Sequence, residues 1–190
     1  MAQLKTQSSR RQTANLHTQM LILARRAIES AGNTRVIHEL STQSIIHREG
    51  GVFVSVHVDG ELRGCIGNLS GVDIHTGIIN NALHAAYHDS RFTPIQSAEW
   101  KRMKIDINLL SEPKPLLFKD SNDLIKKIKG MGVILGRGYH QATYLPSVWE
   151  QLPEPVDFLE NLCMKAGLSP DDWKNPGLTV QVYTSEEFSE

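Results

Sequence analysis

Cysteine is nearly absent from this chain: Cys65 and Cys163 are the only two in 190 residues. One bridge between them would add little to a domain of this size, which sets aside the disulfide-stapled class and favours a reducing compartment. Charge of one sign is missing too, since 20 basic residues stand against 21 acidic ones and leave a net charge of −1. That balance gives no global drive toward nucleic acid or an anionic membrane. No stretch approaches the roughly 20 apolar residues of a membrane span, and no apolar run follows a basic start as in a signal peptide. A cytoplasmic protein with no membrane contact is expected. Aromatics make up only 6% and are not interleaved with basic residues, so nucleic-acid binding has little support. Two chemical signatures are also lacking. The glycines of GRGYHQ carry neither the GxGxxG order nor the lysine of a phosphate loop, and no Gly-x-Ser-x-Gly elbow occurs.

What is present reads as alternating helices and hairpins. Residues 1–13 are polar and without period, which predicts a flexible N-terminal tail. From Ala14, the residues Leu16, Met20, Leu23, Ala24, Ala27 and Ile28 recur at helical steps, and Gly32-Asn33 stops the helix. Asp73 is a plausible N-cap for a second helix running to about His88. Met103 to Leu109 alternates as a half-buried strand. Asp120 to Lys129 reads as a short helix, GVILGRGYHQATYL as a hairpin around Gly-Arg-Gly, and Ser147 to Gln151 as a helical turn. A helix follows from Glu154 to Ala166, with Pro155 in its first turn. Leu178 to Tyr183 closes as a strand before an acidic tail. Helices and hairpins interleave without a strand-helix-strand rhythm, so the expected class is α+β with a mainly antiparallel sheet and flanking helices. The region from residue 14 to 188 is expected to be one domain.

The clearest hairpin lies between Gly50 and Gly67. Val52, Val54, Val56 and Val58 alternate with Phe53, Ser55 and His57, and Asp59-Gly60 favours a two-residue type I′ turn. An uninterrupted register places Val56 opposite Arg63 and Val54 opposite Cys65. Residues directly opposite share a face. Arg63 and Cys65 are then expected on the valine side, and His57 on the other.

Cys65 is the first candidate for chemistry. It is a buried structural thiol, a nucleophile or a metal ligand, and the three readings stay open. The thiolate is the reactive form, and a cation such as Arg63 favours it. In HDSRFTP, Asp89 and Arg91 either bind an anion through the guanidinium or form an internal clamp that fixes the turn against the hairpin. His84 and His88 share a helical face and with Asp89 could hold a metal. However, the position after His84 is Ala85, where zinc helices of the metalloprotease type carry glutamate. They read as surface histidines, and neither metal nor cofactor is assigned. Tyr144, Trp149 and Glu150 wall a pocket or, more commonly for such residues, pack a core.

Several segments occur in an order that resembles a known family: LRGCIG (Leu62 to Gly67), DSRFTP (Asp89 to Pro94), LLSEP (Leu109 to Pro113), GVIL (Gly132 to Leu135), ATYLPSVWEQLP (Ala142 to Pro153), and KAGL (Lys165 to Leu168) with Trp173. The chain is similar to the AmmeMemoRadiSam system protein A family, the AMMECR domain, over about Ala14 to Phe188. That resemblance implies a larger and a smaller lobe with LRGCIG at or near a cleft between them. It also implies a pathway shared with a Memo-type protein and a radical S-adenosylmethionine enzyme. Asn68, Ser90 and Ser147 depart from residues frequent in the family. The leading expectation is an enzyme in which Cys65 reacts and Arg63 is its electrostatic partner, with Asp89, Arg91 and His57 as secondary candidates. A non-catalytic adaptor for another protein of that system is the alternative, and nucleic-acid binding is third.

Overall fold

Two alternating apolar rows, one from each of two strands, set the first sheet. β1 (Glu49–Val58) buries Val52, Val54, Val56 and Val58, and β3 (Met103–Leu110) buries Met103, Ile105, Ile107 and Leu109 on the same side. The structure, a computed structural model, describes residues 2–46 and 48–190. The chain divides into two compact units, residues 1–110 with 186–190, and residues 111–185.

In the first unit, α1 (Ala2–Glu29) and α2 (Thr34–Thr42) precede β1, β2 (Glu61–Asp73) follows it, and α3 (Ile74–Tyr87) leads toward β3. The helix expected from Ala14 begins at Ala2, through the polar stretch read as a tail; Met1 lies outside the described residues. Gln, Lys and Arg are good helix formers and no glycine or proline interrupts them, which permits the helix to start ahead of its apolar stripe. α2 was not legible as an element. Its Asn33 cap accepts the Arg35 and Val36 amides, and only Leu40 is fully buried. α3 begins where Asp73 predicts it, with the Asp73 carboxylate accepting the Thr76 amide at 2.9 Å. Its Ile74, Ile78, Ala82 and Ala85 pack with Met20, Ala24 and Ile28 of α1 over the valine row.

The second unit holds β4 (Lys114–Pro115), α4 (Ser121–Ile128), β5 (Gly132–Arg137), β6 (His140–Tyr144), α5 (Pro155–Lys165) and β7 (Thr179–Tyr183), in a sheet of order β4-β7-β5-β6. Its hairpin turns at Gly138-Tyr139, not Gly-Arg-Gly, because Arg137 pairs with His140 and Gly138 supplies the positive φ of 60° that the first turn position needs. Trp149 stacks on Phe158 at 4.0 Å and Tyr144 meets the same ring edge-on at 5.3 Å, so these aromatics serve the unit's core. The chain then returns as β8 (Ser185–Ser189), the outer strand of the first sheet, whose order is β2-β1-β3-β8. The segment expected as an acidic tail is thus a strand. The fold is α+β with two antiparallel four-stranded sheets.

Candidate active site

The Asp59-Gly60 turn forms as expected, with positive φ at both residues and Val58 opposite Glu61. One residue later the register changes. His57 still faces Leu62, but Val56 faces Gly64, Ser55 faces Cys65 and Val54 faces Ile66. Arg63 is the extra residue of a β-bulge, and a one-residue slip exchanges the two faces of everything beyond it. The uninterrupted register is therefore corrected: Cys65 does not share the valine side. It lies half-buried with Ser55 on the opposite side, the side of His57.

The packing of LRGCIG explains why the slip occurs. Ile66 joins the buried valines at the core, which the unbulged register would have denied it. Gly64 faces α3 so closely that a Cβ there would stand 1.8 Å from the Ala85 carbonyl oxygen. Gly67 lies under the Phe53 ring, where a Cβ would meet ring carbon at 2.2 Å. Both glycines are required by close approach, one on each side of the sheet.

β2 is an edge strand, so the backbone of Cys65 needs partners from outside the ladder. DSRFTP supplies them. The Asp89 carboxylate accepts the Cys65 amide at 3.0 Å, and Arg91 Nη2 donates to the Cys65 carbonyl at 3.1 Å. The two side chains also pair with each other, Arg91 Nη2 to Asp89 Oδ2 at 2.6 Å and Nε to Oδ1 at 2.9 Å. Of the two readings of this segment, the geometry is that of the internal clamp. The Arg91 guanidinium, followed by the Cys65 amide, holds the Asp89 carboxyl well below the usual carboxylate range. Arg91 is raised in turn, first by Asp89 and more weakly by Cys65. Its side chain keeps 60% exposure, whereas that of Asp89 keeps 4%.

Arg63 does not stand as the thiol's electrostatic partner. Its guanidinium is spent on the Glu99 carboxylate and on Thr93, whose carbonyl it reaches at 3.1 Å. The bulge turns Arg63 out of the alternation and toward the segment after α3. The guanidinium beside Cys65 is that of Arg91. Glu99 is lowered by the Gln96 amide first and Arg63 second.

Two residues missed in the sequence share the Cys65 side. Ser55 lies between Cys65 on β2 and Asp106 on β3, and all three form one row across the sheet. His57, one step along β1 on that side, places Nδ1 3.1 Å from Asp106 Oδ2. The polar half of each strand's alternation was the available signal. Which polar residues meet depends on the pairing of β1 with β3, which no local pattern specifies. Cys163 is the contrasting thiol: it is fully buried in the second unit, and burial pushes it up. His84 and His88 meet only ring-to-edge at 5.5 Å. Among the described residues, no group of three or more His, Cys, Asp or Glu side chains is placed to hold a metal ion, and no helix is long and apolar enough to cross a membrane.

An α+β chain that presents a clamped, half-buried cysteine on an edge strand is thereby defined as a class. The model of the AMMECR1 family matches residues 21–188, and the chain belongs to that family. Relatives include proteins of Methanocella arvoryzae (30% identical, spanning 88% of this chain and 87% of that protein) and Methanosarcina acetivorans (36%, spanning 74% and 71%). A crystal structure of an uncharacterised protein from Pyrococcus horikoshii is similar to this chain at 28% identity and a TM-score of 0.74, covering 93% of this chain and 92% of that one.

Proposed function

We propose that this AMMECR1-family protein is a thiol-dependent enzyme whose nucleophile is Cys65. One observation carries the reading: the bulge at Arg63 brings the cysteine out of the valine core, while Asp89 and Arg91 fix its backbone from the strand edge. A thiol kept only as core filling needs no such arrangement. Ile66, the next residue, takes the core-facing side, partly buried against the cluster. A nucleophile needs partial exposure and a fixed backbone, and Arg91, paired with Asp89 and donating to the Cys65 carbonyl, supplies the second. Asp89 acts through Arg91 and the Cys65 amide as a positioning residue, and Arg63 holds the bulge through Glu99. A reducing compartment such as the cytoplasm suits a working thiol.

Alkylation by iodoacetamide followed by peptide mapping tests the reading. Cys65 is expected to be modified in the folded protein near neutral pH while Cys163 is spared, and Cys65→Ser is expected to abolish the modification. A Cys65 thiol that reacts only after unfolding would sink the enzyme reading. The adaptor role, with a Memo-type or radical S-adenosylmethionine partner, would then replace it, and retention of either partner by immobilised protein is its own assay.

A further inference from the structure

His57 and Asp106 are absent from the motifs that carry the family likeness, yet they occupy the same sheet side as Cys65. Asp106 lies opposite Ser55, which lies opposite Cys65, and His57 is diagonal to Cys65 across the β1–β2 pair. Diagonal neighbours in a regular antiparallel pair stand about 7–8 Å apart, and here the Arg63 bulge lies between the two residues. The Asp106 carboxylate sits 3.1 Å from Nδ1 and so selects the tautomer that carries a proton there. The nitrogen left to accept a proton is Nε2. A nucleophile, an imidazole and a carboxylate that orients it form the arrangement used in covalent acyl transfer.

We infer that His57 is the proton acceptor for Cys65, that Asp106 positions it, and that the substrate class is an acyl group in ester, thioester or amide linkage. This rests on Cys65 being the nucleophile. In the step, the Cys65 sulfur attacks the acyl carbon and its proton passes to His57 Nε2. A sulfur–carbon bond forms, the bond to the leaving group breaks, and the leaving group takes the proton from His57. Water then attacks the thioester, its proton goes to His57, the sulfur–carbon bond breaks, and His57 returns the proton to the thiolate. No oxidant or reductant enters.

The probe is 4-nitrophenyl acetate, read as a nitrophenolate burst with mass-spectrometric mapping of the acetylated residue. Wild type is expected to acetylate Cys65 near pH 7. His57→Gln is expected to slow this about a hundredfold near pH 7. At about pH 10, where a thiol is ionised without help, the variant and wild type are expected to react alike. Asp106→Asn is expected to lower the rate near pH 7 in the same pH-dependent manner, and a merely structural loss would lower it at both pH values. A wild-type Cys65 that acetylates at a rate unchanged in both variants overturns the assignment and leaves the nucleophile standing. A wild-type Cys65 that does not react at all overturns the nucleophile and this assignment with it.

Discussion

Gly64 and Asp89 show how much of the Cys65 environment depends on single side chains. A Cβ at position 64 would overlap the Ala85 carbonyl oxygen, a backbone atom of a packed helix that cannot swing aside. Gly64→Ala is therefore expected to cost about 3 kcal/mol or more, read as a lower denaturation midpoint. Asp89 acts through charge. Its folded carboxyl titrates below its unfolded value, so the clamp contributes stability in full above the unfolded value, near pH 4, and loses it as pH falls toward the folded one. Asp89→Asn offers an amide N–H to a guanidinium and is expected to cost about 2–3 kcal/mol near neutral pH. Paired denaturation curves should show that difference shrinking steadily as the pH is lowered below about 4. A difference independent of pH would remove the ion pair as its cause.

Elements were readable wherever their termini carry their own chemistry. Asp73 capped α3, Pro155 opened α5 and Asp59-Gly60 closed the first hairpin, each because a side chain or a φ value settles the matter locally. The bulge at Arg63 was not readable, since no glycine of positive φ marks it and only the packing of Gly64 and Ile66 on the core side reveals it. From that one residue the site reading reversed: Cys65 changed faces, Arg63 turned to Glu99, and His57 came onto the cysteine's side. The His57–Asp106 pair was illegible for a related reason, as strands distant in sequence must first pair. α3 links these elements, because it carries Ala85 beneath Gly64 and leads directly to Asp89. Asp73→Ala removes the acceptor for the Thr76 amide and is expected to cost about 1 kcal/mol, up to about 2. Urea denaturation measures it, and no loss would mean that backbone or water replaces the cap.

On the scale of the whole chain, the first unit is discontinuous and the second is not. The first sheet is incomplete until β8 arrives, after all of residues 111–185. β8 pairs with β3, and side chains tie β8 and the residue after it to α1 as well. Phe188 stacks on His17 at 3.9 Å, and Glu186 reaches His17 Nε2 at 3.1 Å. Glu190 pairs with Arg25, which also donates to the Trp100 and Met103 carbonyls at 3.1 and 2.7 Å. Ending the chain after Ser185 removes the contacts of Glu186, Phe188 and Glu190 together and exposes the edge of β3, while every residue of the second unit's core remains. Loss on the order of 3 kcal/mol is expected in the first unit, from the Phe188 contact and the charged hydrogen bonds of Arg25. An unpaired β3 edge should also promote association. Hydrogen exchange resolved by peptide provides the measurement: protection should fall in α1, β1 and β3 and persist in β5, β7 and α5. Uniform loss across both groups would show that the two units unfold as one, and unchanged protection in β3 would show that β8 contributes nothing to the sheet it completes.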